Sequence, residues 1–107
     1  MSAIMSVGHR AAGIVLFLSL PYFLYLLQLS LTNETGFELA KAELQEPWVK
    51  LIGLILVWAL AHHFIAGIRF FLLDLDIGID KRVAQKSAII VMVTGFLTFI
   101  FFVLLLI

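Results

Sequence analysis

Three stretches of the chain carry no Asp, Glu, Lys or Arg: Ala11–Leu31, Leu51–Ile68 and Ser87–Ile107. Each reaches the roughly 18–21 residues with which an α-helix, rising 1.5 Å per residue, crosses a hydrocarbon layer of about 30 Å. The pattern predicts an all-α membrane protein, one domain over residues 1–107 with transmembrane helices near 11–31, 51–73 and 87–107. Met1–Arg10 reads as a short polar entry, and Pro21 as a kink within the first span. The first loop, Thr32–Pro47, holds Glu34, Glu38, Glu43 and Glu46 against Lys41. Its Phe37, Ala40 and Leu44 recur at helical spacing, which predicts a short helix lying at the membrane interface. Pro47 and Trp48 open the second helix, with Trp48 at headgroup depth. That helix ends near Asp74, and Asp74–Lys86 forms a loop broken at Gly78. Phe96, Phe99, Phe101 and Phe102 fill the third span as packing or lipid-facing residues.

Composition sharpens this. Of 107 residues 64% are hydrophobic and 13% charged, and the mean hydropathy is +1.17; a soluble domain carries about twice that charged fraction. The first span lacks a small-residue cleavage site and is too long for a signal peptide, so it is read as a permanent helix. With no cysteine in the chain, disulfides, thiolate-bound haem and Fe–S ligation are excluded for it. No basic stripe supports nucleic-acid binding. Arg10, Arg69, Lys81, Arg82 and Lys86 fall on one side of the spans, and Lys41 and Lys50 on the other. That asymmetry predicts a cytoplasmic N-terminus and second loop, with the acidic loop and C-terminus outward.

Against this apolar background His62 and His63 stand out, because an ionisable group within a span marks a functional site by default. Neighbours on a helix point about 100° apart, so the two cannot serve one metal face. His63 has Ala59 and Gly67 one turn to either side, which opens space for a flat macrocycle and makes it a candidate axial ligand of a buried haem. The same spacing also describes a close helix-packing groove with a polar contact. Ser6, His9, Arg10 and Gly13 share a face if the first helix begins early, and offer hydroxyl, imidazole and guanidinium groups to a carboxylate, a haem propionate or a quinone carbonyl. Arg10 alone is also an ordinary positive-inside cap. Arg69 lies about 9 Å along the helix from His63, in reach of a propionate edge or free to snorkel to headgroups. Asp74 reads as a solvated helix-end carboxylate or a step on a proton path.

Two motifs then give a resemblance. Ser6-Val7-Gly8-His9-Arg10-Ala11-Ala12-Gly13 and His63-Phe64-Ile65-Ala66-Gly67-Ile68-Arg69, followed by Asp74, resemble the S-x-x-H-R-x-x-G and H-x3-G-I-R-x4-D signatures of the cytochrome b556 family. These are the larger membrane anchors of four-subunit succinate dehydrogenase, and the likeness covers nearly the whole chain. It implies a hetero-oligomeric helix bundle around haem b, with His63 as one axial ligand to the iron and the second histidine on the small anchor subunit. It further implies that His9 and Arg10 lie at the haem propionates, with Arg69 a candidate contact there, and that Ser6 and Arg10 bind ubiquinone. An iron–sulfur subunit and a flavoprotein subunit would dock on the cytoplasmic face of a cell inner membrane and deliver electrons from succinate. The family often has a histidine where this chain has Phe70, and its basic, proline-containing lead is absent ahead of Ser6. The alternatives are the equivalent anchor of a fumarate reductase, or a cofactor-free three-helix scaffold.

Overall fold

A computed structural model describes residues 2–106. Four helices follow one another: α1 (Ser2–Thr32), α2 (Glu34–Gln45), α3 (Pro47–Asp74) and α4 (Lys81–Leu106). Among the described residues there is no strand. The three long helices are each long and apolar enough to cross a membrane, and the molecule measures 56 × 28 × 17 Å.

The helices begin earlier than the uncharged runs. Ser2–Arg10 is the first part of α1 rather than a separate polar entry, and Lys81, Arg82 and Lys86 form the first turns of α4 rather than a loop. Charged residues at a span's end are tolerated because their long side chains reach water from within the helix. Pro21 does not end α1, which continues through it to Thr32.

The α1–α2 corner is built by Asn33. Its extended backbone leaves α1, and its side-chain oxygen accepts the Gly36 N–H at 2.7 Å, capping α2. α2 then folds back antiparallel on α1, with Gly36 beside Leu29 and Glu43 beside Tyr22. The short helix foreseen in the first loop therefore exists, but as one arm of a hairpin on α1. Pro47 starts α3 at a position where its missing N–H costs nothing. α3 stops in a two-bond cap: the Ile77 N–H reaches the Leu72 carbonyl at 2.9 Å and the Asp76 N–H reaches Leu73 at 3.0 Å. Asp76 occupies the left-handed position, at φ 60°, that such caps usually give to glycine.

The buried stripe of α3 is Ala59, His62, Ala66 and Arg69, at spacings of three and four. Met5 from α1 and Ala88 and Val91 from α4 close on it, flanked by Ile65, Phe70 and Met92. This core is small, and large apolar side chains such as Phe17, Leu31 and Leu104 point outward, as a lipid-facing surface requires. Two polar sets mark its ends. Tyr22 and Trp48 meet at 6.0 Å at one end, and Ser2, Arg69 and Ser87 meet at the other. Along α3 those sets are about 32 Å apart, the thickness of a hydrocarbon core. His63 lies about 9 Å from the Arg69 set, so it sits in the third of the span nearest the N-terminus of α1 rather than at mid-span.

Candidate functional site

α1 and α3 pack antiparallel, so the first turns of α1 meet the second half of α3. A continuous helix from Ser2 turns Met5, Gly8, His9, Ala12 and Gly13 towards α3 at spacings of three and four, and Met5 and Ala12 are fully buried. His62 and His63 both insert into this surface, each opposite a glycine. A Cβ on Gly8 would lie 2.8 Å from Nε2 of His62, and one on Gly13 would lie 2.9 Å from Cε1 of His63.

The two rings differ in what they leave free. His63 Nδ1 lies 3.1 Å from the His9 carbonyl oxygen. A carbonyl only accepts, so Nδ1 carries the proton and donates it, and Nε2 keeps its lone pair. Nε2 makes no hydrogen bond to a described residue, and the side chain is half-buried. His62 has the opposite tautomer: its Nε2 donates to the Met5 carbonyl at 3.4 Å. Its Nδ1 lies 3.6 Å from where a Gly95 Cβ would stand, its face stacks on Trp58 at 5.3 Å, and only 3% of it is exposed. His62 is thus enclosed by three helices, while His63 offers a ring nitrogen at the bundle surface. A metal-binding histidine normally donates its second N–H to a carbonyl or carboxylate, and His63 has that arrangement. Among the described residues no three His, Asp or Glu side chains converge as a metal cage.

His9 lies against His63, with ring centroids 4.2 Å apart and planes within 3°. Its far edge packs at 5.1 Å on Phe70, the residue that stands where the family often has histidine. The atom nearest a Cβ on Gly67 would be His9 Nε2, at 3.9 Å. The His63–Gly67 spacing admits two readings, macrocycle space or packing groove, and the contact at Gly67 is one of ordinary packing distance to His9. Ser6 is half-buried and Arg10 exposed, one helical turn apart and beside His9.

Arg69 takes a different direction. Six residues past His63 is about 120° round the helix axis, so its side chain turns to α4. Its Nε donates to Ser87 Oγ at 2.9 Å and its Nη2 to the Ala84 carbonyl at 3.1 Å, with Ser2 Oγ at 3.5 Å. Only 7% of Arg69 is exposed, and Phe70 lies 5.7 Å beneath its guanidinium. Arg69, a candidate propionate contact from the resemblance, is bonded in this structure at the joint of α1, α3 and α4. Asp74 is exposed at the last turn of α3.

Sequence reasoning passed over the slots of His62, Gly8 and Gly95, although Trp58 and His62 stand one turn apart and Gly8 directly precedes His9. Gly95 is distant in sequence from all of them and gave no signal.

Three membrane-length helices with a half-buried histidine beside a polar cluster define a class: multi-pass membrane proteins with a polar site inside the helix bundle. The sequence matches the family described as succinate dehydrogenase/fumarate reductase transmembrane subunit over residues 1–102, and the chain belongs to that family. It is 35% identical over 99 residues to the succinate dehydrogenase cytochrome b556 subunit of Coxiella burnetii, an alignment covering 92% of this chain and 79% of that protein. The protein is a membrane-anchor subunit of a succinate dehydrogenase complex.

Proposed function

We propose that this anchor holds one side of a haem b through Nε2 of His63 and forms part of a ubiquinone site through Ser6 and Arg10, so that electrons from an iron–sulfur partner pass to quinone within the membrane. The observation that carries the haem assignment is the Nδ1–H···O=C bond to His9, which leaves Nε2 as a ready donor. The relative's name, a cytochrome b, agrees with it. Bound haem would supply a one-electron carrier, its potential set by the axial ligands, burial and nearby hydrogen bonds. The family resemblance implies that the second ligand would come from the small anchor subunit, with a flavoprotein subunit completing the complex by oxidising succinate.

His9 and Arg10 would face the propionates, since they adjoin His63 at the polar end of α1. Ser6 and Arg10, one turn apart there, would supply hydroxyl and guanidinium donors to the quinone carbonyls. The cation count supports a cytoplasmic position for this end, where an iron–sulfur subunit could dock.

A reduced-minus-oxidised absorption spectrum of the purified complex tests the haem reading. A b-type α-band is expected and should disappear in His63→Ala; a band that survives this change would refute the assignment. For the quinone site, Ser6→Ala and Arg10→Leu should weaken quinone reduction while succinate oxidation by artificial acceptors persists. Equal loss of both activities would point to failed assembly and count against the pocket.

A further inference from the structure

The His63 imidazole is fixed on three sides by α1. Its Cε1–Nδ1 edge lies against Gly13, where a Cβ would come within 2.9 and 3.3 Å of those atoms. Its N–H is bonded to the His9 carbonyl at 3.1 Å, and its face is covered by the parallel His9 ring at 4.2 Å. A methyl group at position 13 would therefore have to displace the ring, which strains the Nδ1 hydrogen bond, the stack on His9 or the spacing of the helices.

Resting on the reading of His63 as haem ligand, we infer that Gly13 is a positioning residue for that ligand. Its bare Cα admits the imidazole edge, and His9 then sets the tautomer through its carbonyl and the ring plane through its stacked face. The glycine of the first motif and the histidine of the second are in this account one device: α1 chooses the orientation of a ligand carried by α3. Gly8 and His62 repeat the construction five residues earlier on α1, but there the ring is sealed between helices and the device only fixes packing.

The paired variants Gly13→Ala and Gly8→Ala separate the two roles, because both place a methyl equally close to a histidine ring. The complex is purified whole, and the oxidised haem is examined by low-temperature electron paramagnetic resonance. Its highest g value reports the relative orientation of the two imidazole planes. Gly13→Ala should shift that g value and weaken haem retention about 10–100-fold, the range seen when partners of metal-binding histidines are disturbed. Gly8→Ala should lower assembly yet leave the g value of the haem it retains unchanged. Gly53→Ala, where a Cβ meets nothing within 4 Å, should match the parent protein in both measurements.

An unchanged g value with full haem retention in Gly13→Ala would overturn the inference, as would the same shift in Gly8→Ala. If Gly13→Ala fails to assemble, the unsubstituted complex grown with 15N-histidine gives a second test. Pulsed resonance should show a protonated remote nitrogen on this chain's ligand whose proton resists exchange; a deprotonated or freely exchanging one would overturn it. Loss of the haem reading itself is recognised separately, by a b-type band that persists in His63→Ala.

Discussion

At the end of α1 that adjoins α2, a missing side chain brings main chain against main chain. A Cβ on Gly36 would collide with the Leu29 carbonyl oxygen, and Asn33 and the Tyr22–Glu43 hydrogen bond hold the two helices in that register. At the opposite end, Gly8 and Gly13 admit imidazole rings instead. The first contact is a hinge pin, made by backbone and kept in register by neighbouring side chains. The second is a socket whose occupant has chemistry of its own. Close approach of helices through small residues is common in membranes, so a glycine alone does not separate the two uses. What separates them is the group that fills the space.

Substitutions can break or sharpen this contrast. The largest effect is expected from Gly36→Ala. The obstacle is a carbonyl that cannot rotate away, so the hairpin should lose about 3 kcal/mol, seen as protease cleavage between α1 and α2 while the haem spectrum stays unchanged. A spectral change would show that the two ends are not independent.

Ser87→Ala comes next. It removes the acceptor of Arg69 Nε and leaves part of a buried guanidinium unpartnered, an effect of about 2 kcal/mol. Thermal unfolding of the purified complex should show it, together with loosening of the α3–α4 joint. Tyr22→Phe deletes the hydroxyl that donates to Glu43 and should cost about 1 kcal/mol, read as faster hydrogen exchange confined to α2. Gly53→Ala should be nearly neutral, within about 0.5 kcal/mol. A marked loss there would mean that another helix fills the open space beside it.

Much of the fold was legible because the bilayer imposes a simple length rule. Uncharged runs long enough to span it located α1, α3 and α4, and the Phe37–Ala40–Leu44 spacing located α2. Helix starts were misplaced at Ser2 and Lys81, since the absence of charge marks where a helix meets lipid and not where its hydrogen bonding begins. His63 and the Ser6–Gly13 motif could be singled out because each breaks an apolar context with a polar group at helical spacing.

By itself the sequence determined a three-span protein with two adjacent histidines in one span and a polar cluster at the start of another. It singled out His63 as the candidate ligand but left open which ring nitrogen is free, what Gly8 and Gly13 admit, and where Arg69 points. Only the tertiary structure decided these, because each depends on which carbonyl or ring of a second helix lies across the gap. The His9 and Met5 carbonyls give His63 and His62 opposite tautomers, and Ser87 and Ala84 draw Arg69 to α4. Spacing along one helix fixes direction only; the proton on a ring nitrogen is set by its partner from the neighbouring helix.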